Sequence, residues 1–246
     1  MNLVLLHAEE LRPDGTARLA GRRAAHVTGV LRAAPGDRIR VGVVGGRMGE
    51  AEVAEIGAGE VVLRAALDRD PPPPAPVSLL LALPRPKILR RVLQASASMG
   101  VKRIVLLGSW RVDKSYWGTP ALAPGAIRDE LLVGLEQGRD TVLPEVLVRR
   151  LFKPFVEDEL DEVFPERTRL LAHPAGAGPL HAIPPGGPRA ALAVGPEGGF
   201  TRYEAEAFER RGFASFTLGD RILRVDAAVP FAVGQVELWL RSVRAR

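Results

Sequence analysis

Two rhythms of apolar residues run along this chain. In the first, apolar and polar residues alternate over Arg38–Val43 and Glu50–Ile56, on either side of Gly45-Gly46, and again over Val61–Arg64. Alternation is the spacing of a strand with one buried face, and a glycine pair between two such runs marks a hairpin. His26–Arg32 reads as a short helix ahead of the turn Pro35-Gly36-Asp37. Residues 1–70 are therefore expected to form a small β-barrel or sandwich. In the second rhythm, solid apolar runs alternate with helical stretches. Val77–Leu83 is a run of buried-strand type, and a helix over 87–99 places Ile88, Val92 and Met99 on one side and Lys87, Arg90, Arg91 and Gln94 on the other. A strand at Arg103–Leu107, a helix over about 124–138, and strands at 168–172, 190–194 and 215–218 follow. Strands separated by helices predict an α/β fold with a parallel sheet covered on both faces. The last segment, about 226–242, is apolar and helix-like, and Pro230 fits it only in the first turn.

Between the two rhythms stand Pro71 to Pro74 and Pro76, which can neither continue a helix nor donate to a sheet ladder. The predicted organisation is thus 1–70, a spacer at 71–76, and 77–246.

Composition narrows the classes. Of 246 residues, 46% are hydrophobic and 26% charged, as in ordinary globular proteins. The absence of cysteine excludes disulfide scaffolds, thiolate zinc sites, iron–sulfur clusters and cysteine nucleophiles. No apolar run reaches the roughly 18 residues of a membrane span, and Met1–Leu6 carries no charged leader, so a cytoplasmic location is expected. His7, His26, His173 and His181 lack the spacing of metal ligands.

Charge adds a partner. Residues 1–70 hold ten Arg and ten acids, so the whole surplus of five positive charges lies in 71–246. From Arg85 to Lys114 there are eight Lys and Arg (among them Arg90, Arg91, Lys102, Arg103 and Arg111) against one acid, Asp113. Such clustering fits a polyanion, and a solvated face would carry it as well. Trp110, Tyr116 and Trp117 lie beside Arg111 and Lys114, a mixture suited to stacking unpaired bases or to packing on a partner subunit.

The glycine-rich loop is the chemical centre. The apolar run Ala190–Val194 leads into Gly195-Pro196-Glu197-Gly198-Gly199-Phe200, and Thr201-Arg-Tyr-Glu204 then has the form of a capping box opening a helix that ends at Gly212. Ligands of open α/β sheets bind at that strand-to-helix edge, where glycines let backbone groups approach them. The loop matches neither the dinucleotide fingerprint nor the P-loop pattern. A second strand end and helix start follow at Leu218-Gly219-Asp220-Arg221-Ile222-Leu223-Arg224-Val225-Asp226-Ala227-Ala228.

Together these two stretches closely resemble the signature of the RsmE family of 16S ribosomal RNA methyltransferases, of the SPOUT superfamily, whose members carry GPEGGF and later LGxRILRTETA. Glu136-Gln137-Gly138-Arg139 with Pro144-Glu145-Val146 resembles the family's E-Q-S-x-R and P-E-[VI] stretch, and His26 to Asp37 its H-x-x-x-V-L-R and G-D motif. The resemblance spans nearly the whole chain. It implies a PUA-like RNA-binding domain, a SPOUT domain with a trefoil knot, a homodimer, S-adenosylmethionine as methyl donor, and methylation at N3 of a uridine in small-subunit ribosomal RNA. It further implies a cofactor held by Leu171, Ala172 and His173, by Gly195, Pro196, Glu197, Gly198 and Gly199, and by Leu218, Gly219, Ile222 and Leu223.

The chain also departs from the family. K-A-T-E-L-G-V becomes Ala95–Val101, S-E-R-S becomes Ser109-Trp110-Arg111-Val112, and T-E-T-A becomes Val225-Asp226-Ala227-Ala228. Transfer to a uracil nitrogen needs the N3 proton removed and the resulting charge on the flanking oxygens stabilised. Arg224 is the candidate for holding a phosphate or that charge, with an ion pair to Asp226 or Asp220 as its other role. Asp226 is a candidate base or a helix cap. Glu197 is either an orienting group or a solvated turn acid. RNA contacts are assigned to His26, Arg32, Arg90, Arg91, Lys102, Arg103 and Arg111. The alternatives are the same fold and cofactor on another RNA, or a non-catalytic RNA-binding or ribosome-assembly protein.

Overall fold

Alternation builds the first sheet. Strands β1 (Val4–Leu6) and β2 (Thr16–Ala20), helix α1 (Gly21–Ala25), and strands β3 (Arg38–Val43), β4 (Met48–Ile56) and β5 (Glu60–Arg69) follow one another in the computed structural model, which describes residues 2–244. The strands pair in the order β1-β3-β4-β5-β2, parallel between β1 and β3 and antiparallel elsewhere. In β4, Ala51 and Val53 turn inward while Glu50 and Glu52 face out. With Leu6, Leu19, Val27, Val41, Val61 and Leu63 they form the core of this mixed sheet. The β3–β4 hairpin turns on Gly45 at φ +75°.

The helix expected over His26–Arg32 begins earlier. Its regular part is α1, and His26–Val30 widens into a π-type turn that ends at Leu31, just before Arg32 at φ +52°. Strands β1 and β2 are additions too, because three buried residues and a five-residue edge carry too little pattern to be read.

The second sheet is parallel throughout. Its elements are β6 (Val77–Ala82), α2 (Pro86–Ser98), β7 (Arg103–Leu107), α3 (Pro124–Gly138), β8 (Glu145–Arg149), the short turns α4 (Phe152–Pro154) and α5 (Leu160–Val163), β9 (Thr168–Ala172), β10 (Ala190–Val194), α6 (Arg202–Arg210), β11 (Ala214–Phe216) and α7 (Val225–Arg244). The strand order is β11-β9-β10-β6-β7-β8. Strands β6 and β10, paired at the centre, are buried at every position. That burial explains their unbroken apolar runs. Strand β8 escaped the sequence reading because it is a half-exposed edge whose run is only Val-Leu-Val.

The chain passes from one compact unit to the other between Pro73 and Pro74, and Leu131–Leu143 joins the first unit. A division by linear position could not anticipate that return. It is made by long-range bonds: Thr141 Oγ1 donates to the Gly46 carbonyl at 2.6 Å, the Gly45 N–H donates to the Thr141 carbonyl at 2.7 Å, and Arg22 pairs with Glu136 at 3.1 Å. Burial pushes the Glu136 carboxyl above its usual range, against the pull of Arg22.

Helix α7 continues through Pro230, beyond the first turn to which the sequence confined it. Proline there removes the N–H that would meet the Asp226 carbonyl. The helix tolerates the loss because Val229, Ala232, Val233, Val236 and Leu240 bury a long stripe and α7 packs against α2.

Gly49 marks the tightest backbone approach of the first sheet, since a Cβ there would stand 1.8 Å from the Ala66 carbonyl oxygen. Gly49→Ala should therefore destabilise the protein by about 3 kcal/mol, the upper part of the overpacking range. Gly57, whose Cβ would meet nothing within 4 Å, should accept alanine with no loss. Thermal melting of the two variants checks the contrast.

Candidate cofactor cavity

Beyond the carboxyl ends of β9, β10 and β11, three loops enclose a cavity of about 290 Å3, near the lower end of the range for small-molecule sites. The first loop supplies Ala172, His173 and Pro174, the second Val194 to Glu197 with Gly199 and Phe200, the third Leu218 to Val225, and Ala228 of α7 completes the wall.

The second loop owes its shape to glycines and two carboxylates. A Cβ on Gly195 would come within 3.1 Å of the Phe200 nitrogen and 3.2 Å of Gly199 Cα, and Gly199 itself lies at φ +71°. Glu197 is exposed yet also tied down: its Oε1 accepts the Arg85 backbone N–H at 3.0 Å, at the N-cap of α2. A carboxylate there faces the positive dipole end of the helix. Thr201 and Glu204 form the expected capping box on α6. Glu204, 3% exposed, accepts the Thr201 N–H and hydroxyl at 2.8 Å each and also the Trp110 N–H at 2.7 Å. The loop after β7 is thereby tied to the start of α6.

The third loop is different in kind. Among the described residues, Leu218–Leu223 make no backbone hydrogen bond to other protein groups, so their amides and carbonyls are open to what the cavity holds. In the first loop, the Ala175 N–H donates to His173 Nδ1 at 3.1 Å. The Nδ1 atom thus serves as the acceptor of that N–H.

Ten of the residues assigned to the cofactor, namely Ala172, His173, Gly195, Pro196, Glu197, Gly199, Leu218, Gly219, Ile222 and Leu223, line this cavity. Leu171 and Gly198 do not. Leu171 is fully buried in β9 beside Ala193. Gly198 backs onto Arg111, whose Cδ would lie 3.1 Å from an added Cβ, and its carbonyl accepts the Arg111 guanidinium. Pro174, Val194, Phe200, Asp220, Arg221, Val225 and Ala228 line it too and were missed, although all but Pro174 lie within or directly beside the two glycine motifs, which was the available signal.

A family model described as "RNA methyltransferase domain" matches residues 71–237. The chain belongs to this family. It is also 27% identical, over 99% of its length and 94% of the relative's, to the ribosomal RNA small subunit methyltransferase E of Treponema pallidum. The Synechocystis protein of the same name is 27% identical over 97% of this chain and 78% of its own length. Among solved structures, a methyltransferase from Legionella pneumophila with bound S-adenosylmethionine superposes with a TM-score of 0.75 at 24% identity, covering 96% of this chain and 97% of that one. The ribosomal RNA small subunit methyltransferase E of Neisseria gonorrhoeae, bound to S-adenosylmethionine, does so at 0.74 and 23%, with the same coverage. These two share the fold.

Within this RNA methyltransferase domain the two candidate catalytic residues stand at different depths. Arg224 lines the cavity and its side chain is 77% exposed, whereas Asp226 stands behind it, 3.6 Å from Arg224 and 3.0 Å from Arg91 of α2. The Arg91 hydrogen bond, followed by the charge of Arg224, holds the Asp226 carboxyl below its usual range. Several cations of the basic segment are likewise paired within the chain. Arg90 pairs with Glu130, Arg91 with Asp226, and Arg103 with Glu145 and the Val163 carbonyl. His26 and Arg32 belong to the other unit, and Lys102 precedes β7.

The loop geometry orders the glycines by their demands. Gly195→Ala and Gly199→Ala should each weaken ligand binding at the cavity by tenfold or more, one through backbone crowding and the other through a left-handed φ. Gly198→Ala should do so by less than threefold, because it displaces only the flexible Arg111 side chain. Calorimetric titration with S-adenosylmethionine, beside a melting curve for each variant, tests this order.

Proposed function

We propose that this chain is an S-adenosylmethionine-dependent methyltransferase that methylates N3 of a uridine in 16S ribosomal RNA. The convergence of the Gly195–Phe200 and Leu218–Arg224 loops on one cavity carries the reading. The relatives named for small-subunit ribosomal RNA and the two relatives holding S-adenosylmethionine support it. The same reading takes 1–70 as a PUA-like RNA-binding domain, 71–76 as the linker, 77–246 as a trefoil-knotted SPOUT domain, and the working form as a cytoplasmic homodimer. For a dimer, α7 offers Phe231 and Leu238, seven residues apart on one helix face and 47% and 70% exposed. Among the described residues, no helix is long and apolar enough to cross a membrane.

The residues present fit the cofactor. Val194, Phe200, Leu223 and Ala228 give apolar walls for a flat base, and the unpaired backbone groups of Leu218–Leu223 can serve its polar edge. When bound, S-adenosylmethionine supplies an electrophilic methyl group. Holding that group in line with the acceptor is worth up to about 7–11 kcal/mol of barrier. His173 lines the cavity with its Nδ1 engaged by the Ala175 N–H, and Glu197 fixes the second loop to α2. Arg224 is placed to face the charge that develops on the uracil oxygens when N3 loses its proton. Asp226, held ionised by Arg91, is poorly matched to take that proton and acts instead as the positioning residue for Arg224. A different RNA target is the second reading, favoured by the Asp226–Arg91 pair where the family carries T-E-T-A.

Incubation with small ribosomal subunits from a strain lacking the corresponding methyltransferase, followed by primer extension, tests the reading. A primer-extension stop at one uridine is the expected result, and none would refute it. Arg224→Ala should lower kcat by about 10²- to 10³-fold with cofactor affinity unchanged, and Arg224→Lys should recover little, since a point charge lacks the planar fork.

Asp226 gives a pH signature. A carboxyl held below its ordinary value of about 3.9 stabilises the fold fully above that value, and the stabilisation is lost as pH falls through the lower folded value. Asp226→Asn should therefore melt below wild type at pH 7, with the difference shrinking once pH falls below about 4 and vanishing only beneath the lower folded value. Asp226 should place no inflection in the pH–rate profile between about pH 5 and 9.

A further inference from the structure

The three aromatic residues of the segment after β7 have different fates. Trp117 is half-buried, its ring 5.5 Å from the Arg150 guanidinium carbon and packed on the Gly108 backbone. Tyr116 is half-buried as well. Trp110 alone presents its ring to solvent, at 86% exposure. The turn that carries it is fastened at several points. Its own N–H is held by buried Glu204, the Val112 N–H closes the turn onto the Ser109 carbonyl at 3.1 Å, Val112 is buried, and Arg111 is bonded to Gly198 in the cavity's second loop. The exposed ring is therefore carried by a turn whose backbone is fixed to the start of α6 and, through Arg111, to the cavity's second loop, so little backbone ordering is left for a partner to impose.

The surroundings specify the partner's charge. Arg111 and Lys114 stand close to Trp110 in the chain; Arg111 is bonded to the Gly198 carbonyl, and Lys114, exposed, has no ion-pair partner among the described residues. The one neighbouring acid, Asp113, is spent on the Ser115 N–H and hydroxyl at 2.9 and 2.8 Å. An exposed aromatic ring in a segment that carries an exposed lysine suits an unpaired base on a phosphate backbone.

We propose that Trp110 is a stacking platform for an unpaired RNA base next to the nucleotide being methylated, and so a positioning residue for the substrate. The inference rests on the methyltransferase reading above. It also gives a role to a position where this chain departs from the S-E-R-S of the family it resembles.

The test uses the full chain with Trp110→Ala and Trp110→Phe, both of which keep the backbone N–H that Glu204 holds. Binding to a single-stranded oligouridylate should weaken roughly five- to hundredfold in Trp110→Ala and by less than threefold in Trp110→Phe, while binding to an RNA duplex of equal length is unchanged. On small ribosomal subunits KM should rise in the same proportion, with kcat and S-adenosylmethionine affinity within twofold of wild type. RNA should also shield the Trp110 fluorescence, taken as wild type minus Trp110→Phe, from acrylamide. Unchanged single-strand affinity in Trp110→Ala overturns the proposal. So does shielding that tracks protein concentration without RNA, which would mean that a second copy of the chain covers the ring. If wild type methylates no ribosomal RNA but the single-strand effect stands, the methyltransferase reading fails and the platform survives.

Discussion

A buried carboxylate holds the candidate site together. Glu204 lies 3% exposed at the first turn of α6 and would be costly to bury alone, yet it meets three donors from two separate loops. Two of them, on Thr201, end the glycine loop and begin the helix. The third, the Trp110 N–H, brings the turn after β7 to the same point. The phenylalanine cluster beneath it, with Phe200 and Phe208 ring centroids 5.1 Å apart, gives this junction its apolar backing. Cavity wall, helix start and exposed tryptophan thus depend on one charge being satisfied.

The arginines follow a comparable economy. An Arg-rich chain invites the reading of a free basic surface, but much of the segment between Arg85 and Lys114 is consumed internally. Arg91 is spent on Asp226, Arg90 on Glu130, Arg103 on Glu145 and a carbonyl, and Arg111 on the glycine loop. Such exposed pairs add little stability each. Their effect is to fix where the remaining cations stand, and Arg224, tethered through Asp226 yet 77% exposed, is the clearest instance.

In the first unit a similar part is played by a segment distant in sequence. Glu136, nearly buried, is answered by Arg22, and Thr141 bonds on both sides of the Gly45–Gly46 turn. The β3–β4 hairpin is therefore closed by its own glycines and then braced from about a hundred residues away.

What the sequence determined by itself is what local chemistry determines. Alternation placed β3, β4 and β5, solid apolar runs placed β6 and β10, the capping box placed the start of α6, and two glycine motifs marked the loops that now enclose the cavity. Each is set by neighbours within a few residues, so each is legible from order alone. Tertiary structure decided the rest. It decided that Gly198 faces Arg111 instead of the cavity, that Asp226 answers Arg91, that Glu197 caps α2, that Pro230 is carried inside α7, and that 131–143 belongs with the first unit. Every one of these depends on a partner far along the chain or on packing that outweighs a local preference, and no pattern of residue types within one segment encodes which distant group it will meet.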